Sequence, residues 1–142
     1  MKKTLKIAIS ALLILACLLS FAACRKEAGE VDLWEKATYK EDTTFGEGAK
    51  TVVVEVKVLE KKVTFTVKTD KDTVGEALVE HKLIDGDQGE FGLYLKVVNG
   101  ITADYDVDQS YWAFYIGDEY AMTGVDMTEI EEGVTYKLEY TK

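Results

Sequence analysis

The chain predicts an α+β fold: an antiparallel-rich β-sheet with one short helix, β-grasp-like, behind a lipoprotein signal and a flexible tether. Three observations predict it. Apolar and polar residues alternate over 52–58 and 63–67, the period of a half-buried strand. After Thr73 the spacing becomes helical, with Val74, Ala77 and Leu78 on one face. Aromatic and β-branched residues then return in runs at 91–98, 111–116 and 134–140.

The elements follow in order. Lys2, Lys3 and Lys6 precede an apolar run from Ile7 to Phe21 and the small residues Ala22 and Ala23. That run is short for a membrane span and has the flanks of a secretory signal, so residues 1–23 are expected to be removed. Cys24 then follows as in a bacterial lipobox, with Phe21 where Leu is usual, and is the expected lipidation site. A rival lipobox ending at Cys17 would leave a very short apolar core. The mature chain would hold 119 residues, one domain's worth, with both cysteines of the sequence outside its body and no disulfide framework. Loss of the three signal lysines takes the net charge from −9 to −12. Such a balance excludes nucleic acid as a partner, because phosphate binding needs clustered Lys and Arg.

Residues 24–50 are charged, small or Gly-bearing and read as a tether, with Trp34 a loosely held surface aromatic. The folded domain is expected over 51–142. Val52, Val54, Val56 and Val58 form a strand, Glu60-Lys61-Lys62 turn the chain, and Val63, Phe65 and Val67 complete a hairpin. Thr73 and Glu76 have capping-box spacing, starting a helix that runs to about His81 and stops before Asp85-Gly86. Phe91 to Val98 forms a strand ended by Asn99-Gly100, a strong turn dipeptide. A polar, acidic loop over 102–110 precedes the strand Tyr111–Ile116 and the Gly117-Asp118-Glu119 turn. Proline is absent, so turns rely on Gly, Asn and Asp.

No motif for catalysis stands out. His81 is the single histidine, no nucleophile elbow or phosphate loop is present, and the protein is read as a non-enzyme with no intrinsic cofactor. Asp104, Asp106 and Asp108 alternate as in calcium loops, but the sixth residue from Asp104 is Gln109, not Gly, so the EF-hand pattern fails. The loop reads as a solvated acidic segment. On strand 111–116, Tyr111, Ala113 and Tyr115 take one face and Trp112, Phe114 and Ile116 the other. One face can fill the core while an outward platform of rings remains for a ligand.

Val63 to Val67 before the helix, Gly92-Leu93 leading to Val98-Asn99-Gly100, Tyr111-Trp112-Ala113-Phe114, Gly117 and Gly124-Val125 keep one order over 51–140. This series resembles the C-terminal β-domain of the vitamin B12 carriers transcobalamin and intrinsic factor, and the chain looks like a bacterial lipoprotein bearing such a domain. The resemblance implies a corrinoid ligand: in the carriers this domain covers one face of the corrin ring and a helical barrel the other. Carried over, Phe114 and Ala121 become ligand contacts, with Tyr94 in a third contacting strand. Trp112 would add apolar area, Met122 would compensate for the small Ala121, and backbone groups near Gly117 and Gly124 would meet the ring's amides. No barrel matches here, so the implied binding is weak or shared with a membrane importer. The expected protein is therefore lipid-anchored on the extracytoplasmic face of a bacterial membrane and captures cobalamin or another corrinoid. The residues alone also fit a cell-surface module that meets a protein or glycan.

Overall fold

The computed structural model describes residues 32–142. The expected signal peptide, Cys24 lipidation and the first part of the tether lie outside them. Nine strands and two short α-helices follow in order: β1 (Thr43–Phe45), β2 (Lys50–Val58), β3 (Lys61–Thr69), α1 (Val74–Glu80), β4 (Ile84–Gly89), β5 (Gly92–Val98), β6 (Ile101–Thr102), α2 (Tyr105–Asp108), β7 (Tyr111–Ile116), β8 (Glu119–Tyr120) and β9 (Thr135–Thr141). Turns of 3-10 helix occupy Leu33–Lys36 and Val125–Met127.

The main sheet has the order β1-β3-β2-β9-β7-β8. β2 and β3 form the expected hairpin, pairing Val52 with Val67, Val54 with Phe65 and Val56 with Val63. Its turn lies at Leu59-Glu60, slightly earlier than the charged residues suggest. β9 returns parallel to β2 and antiparallel to β7. A hairpin, a helix and a second antiparallel pair inserted beside the first strand make the β-grasp order, so the expected fold class is the observed one. The helix count differs: α2, four residues long, occupies part of the expected acidic loop.

Alternation decides which face is buried. Val52, Val54, Val56, Val63, Phe65, Val67, Tyr136 and Leu138 all turn to one side and are at most 1% exposed. Each such apolar side chain stabilises by about 2 kcal/mol through burial. α1 covers them with Val74, Ala77 and Leu78, held by the Thr73–Glu76 capping box. Lys57, Lys137 and Glu139 point the other way, and Lys57 pairs with Glu139 at 3.1 Å.

Residues 32–50 depart from the tether reading. Asp32 accepts from the amide of Trp34 and starts a 3-10 turn that buries the indole to 7% exposure. Tyr39, Phe45 and Phe65 pack edge to face with centroids 5.1–5.8 Å apart. β1 pairs parallel with β3. Three rings are enough apolar area to dock a segment whose average composition is polar.

A second, three-stranded antiparallel sheet has the order β4-β5-β6. The sequence marks no element at β4, because Ile84-Asp85-Gly86-Asp87-Gln88-Gly89 is polar and Gly-rich. It is a strand through its pairing with β5, with a register break at Asp85/Gly86 that leaves Lys96 opposite no partner. Gly86 is required there, since a Cβ would fall 2.0 Å from the Tyr94 carbonyl oxygen.

Candidate functional site

β5 and β7 wall a cleft that the 120–125 loop closes at one end. Leu93 and Leu95 line one side, Trp112 and Phe114 the floor, and Tyr120, Ala121, Thr123, Gly124 and Val125 the far side. Its volume is about 170 Å³, and its mouth is open to solvent.

The rings are held from behind. The Lys96 carbonyl, on the β6 side of β5, accepts from the Ala103 amide at 2.8 Å, continuing the β5–β6 pairing, and from Trp112 Nε1 at 3.1 Å. Phe114 stacks on Tyr136, centroids 6.1 Å apart at 20°. The Tyr136 hydroxyl in turn donates to the Glu129 carbonyl and accepts from the Glu131 amide. The Ala121 amide donates to the Phe114 carbonyl at 2.9 Å, extending the β7–β8 pairing into the loop. Thr128 Oγ1 donates to the Gly124 carbonyl and meets Thr123 Oγ1 at 3.1 Å. The result is a small preformed slot that combines apolar rings on its floor with polar groups around its rim.

Three of the five expected ligand residues come together: Trp112, Phe114 and Ala121. Two do not. Tyr94 lies on the opposite face of β5, 52% exposed, with Lys96 Nζ 5.9 Å from its ring centroid. Met122 stands 94% exposed outside the lining. The expected platform is also more enclosed than an outward ribbon of rings, since Trp112 is 6% and Phe114 8% exposed. Gly124 lines the cleft, whereas Gly117 sits in the β7–β8 turn away from it. Leu93, from the strand that the resemblance marks as a contacting region, takes the place expected of Tyr94, and Leu95 and Tyr120 line the cleft without having been expected as ligand contacts.

The remaining candidates are structural. His81 caps the end of α1 against Phe45, with centroids 5.5 Å apart. In the acidic segment, Asp104 accepts from the Asp106 amide, and Asp108 accepts from Ser110 and pairs with Lys142 at 3.3 Å. The Ser110 hydroxyl and amide hold the Asp108 carboxyl below its ordinary range. Lys96 is pushed upward by its bond to Asp87 at 2.8 Å, with Asp104 at 3.7 Å adding to it. Among the described residues, no group of three or more His, Cys, Asp or Glu side chains could hold a metal ion.

The fold and the cleft define a class: a β-grasp domain with a small accessory sheet and an aromatic-floored slot between the two. The chain belongs to the family described as "Domain of unknown function (DUF4430)", which matches residues 71–142. It is similar to a crystal structure of a candidate metal-binding protein from Ruminococcus gnavus, at 32% identity and a TM-score of 0.62. That alignment covers 66% of this chain and 98% of the other. Haptocorrin in complex with Cbi shares the fold, at 16% identity and a TM-score of 0.53, over 69% of this chain. The chain spans 26% of the haptocorrin chain. No curated protein matches.

Proposed function

We propose that the protein is a lipid-anchored, extracytoplasmic binding protein that captures a corrinoid in the β5–β7 cleft and passes it to a membrane importer, making and breaking no bond. The cleft itself is the supporting observation: a slot whose aromatic floor, Trp112 and Phe114, is fixed before any ligand arrives. A corrin ring presents an apolar edge fringed with amides, which suits leucine walls and a rim of backbone groups. The fold shared with a Cbi-bound structure favours the same ligand class. The description of the Ruminococcus gnavus protein as a candidate metal binder is compatible, because a corrinoid brings its own cobalt and needs no donor cluster from the protein.

Size sets the affinity. A corrin is much larger than the slot, so one edge enters and the remainder stays outside. Enclosing part of a ligand yields less binding energy than enclosing all of it, so the affinity is modest until a second surface covers the rest.

A second reading, docking of a protein partner, is favoured by the apolar residues around the mouth. Tyr120 and Met122 flank Ala121, and Phe91 and Met127 flank the contact between Gly92 and Asp126; all four are more than half exposed. Calorimetric titration of the purified protein with cobinamide and cyanocobalamin separates the readings. Saturable heat, with matching quenching of Trp112 in a Trp34→Phe background, supports capture. Neither signal at high micromolar corrinoid leaves the partner reading.

A further inference from the structure

Asp126 occupies a seat built from three glycines. Its Oδ2 accepts from the Leu93 amide at 2.8 Å, across 33 residues of sequence. A Cβ on Gly92, at φ +96°, would fall on both carboxylate oxygens. A Cβ on Gly75 would lie 2.7 Å from the Asp126 backbone, and one on Gly124 would lie 3.2 Å from Oδ1. Helix α1 therefore approaches the Asp126 backbone, and the start of β5 its carboxylate, at distances only glycine permits, while Gly124 leaves Oδ1 little room.

The seat is not optimised for stability. Asp126 Oδ1 is buried and has no hydrogen-bond partner among the described residues. A buried acceptor without a donor destabilises the fold, so stability alone does not account for an aspartate here. The single bond it makes has a definite geometric effect: Leu93 belongs to one wall of the cleft, while Gly124 and Val125, its chain neighbours, belong to the other.

We propose that Asp126 is the positioning residue of the cleft, its carboxylate tying the β5 wall to the 124–127 turn and so setting the width of the slot. The proposal concerns the same cleft as the function above, but its first readout needs no ligand. Hydrogen exchange at the Leu93 amide reports the tie directly. Asp126→Ala is expected to speed that exchange about tenfold, and Asp126→Asn, which keeps an acceptor oxygen, to leave it near wild type. Cobinamide affinity is expected to follow, falling about tenfold in Asp126→Ala and recovering in Asp126→Asn. Should Asp126→Ala fail to fold, Gly124→Ala serves instead: its backbone, at φ −70°, accepts alanine, and the added methyl presses on Oδ1. It too is expected to speed Leu93 exchange. Unchanged exchange in the alanine variant overturns the proposal, as does an asparagine variant that exchanges as fast as the alanine one. Absence of cobinamide binding to wild type would sink the corrinoid reading, while the exchange comparison would still decide the role of Asp126.

Discussion

Asn99 and Tyr39 are joined in both directions: Asn99 Nδ2 donates to the Tyr39 carbonyl at 2.8 Å, and Asn99 Oδ1 accepts from the Tyr39 amide at 2.9 Å. The Thr38 amide adds a bond to the Asn99 carbonyl at 2.9 Å. A side chain that is 1% exposed thus pairs with the backbone as a neighbouring strand would. It fastens the segment before β1 to the β5–β6 turn. Asn99 also holds φ 51°, a left-handed conformation that asparagine tolerates better than most residues.

Asn99→Ala removes both side-chain bonds and strains the turn. The expected loss is about 3 kcal/mol, read as a lower urea midpoint, with faster exchange at the Tyr39 amide. Asn99→Gly relieves the strain but not the lost bonds, so it is expected to fall between the two.

The same pair shows where sequence reasoning stops. Asn99-Gly100 is legible as a turn, because the dipeptide's backbone preference is local. That its side chain also recruits Tyr39 is not legible, since the two are 60 residues apart. Alternation over 52–58 and the Thr73–Glu76 box were readable for the same local reason. β4 was missed because its strand character comes from pairing, not from apolar residues. The cleft was half legible. Trp112 and Phe114 share a face by simple alternation, but the bulge at Lys96 changes the parity of β5. Val98 and Leu95 turn inward on either side of it, and Tyr94 is left outside. An aromatic residue attracted the assignment that belonged to its leucine neighbours.

Leu59 holds φ 55° in the β2–β3 turn and is 62% exposed. A left-handed conformation costs a leucine about 1–2 kcal/mol, and an exposed side chain returns little packing. Leu59→Asn is therefore expected to raise stability by about 1 kcal/mol, measured as a higher denaturation midpoint with an unchanged slope. A lower midpoint would mean that the leucine contacts outweigh the strain.

Asp118 and Lys137 pair at 2.6 Å across the β7–β9 end of the sheet. The lysine, through its hydrogen bond and then its charge, holds the Asp118 carboxyl below its ordinary range, and the aspartate raises Lys137 in return. For the depressed acid, the stabilisation is fully present above the unfolded value of about 3.9 and is lost as pH falls through the lower folded value. For the raised base, it is present below about 10.4 and is lost as pH rises through the higher folded value. The pair therefore contributes between those limits. Lys137→Met is expected to return the Asp118 midpoint to about 3.9 in an NMR titration of its carboxyl carbon. A midpoint that stays low would assign the shift to another neighbour.

Ala121 is the lining position where the cleft can be blocked without disturbing the core. Its amide bond to the Phe114 carbonyl belongs to the backbone and survives substitution, whereas removing Phe114 would also break the stack on Tyr136. Ala121 is half-buried, and its side chain faces the slot beside Tyr120. Ala121→Trp is expected to fill that space and change stability by less than about 1 kcal/mol, because the added ring occupies an opening and not a packed interior. If the cleft is the ligand site, cobinamide affinity should fall at least about tenfold in the same titration, from the loss of the space that admits its edge. Retained affinity in a folded Ala121→Trp protein would move the ligand to a different surface.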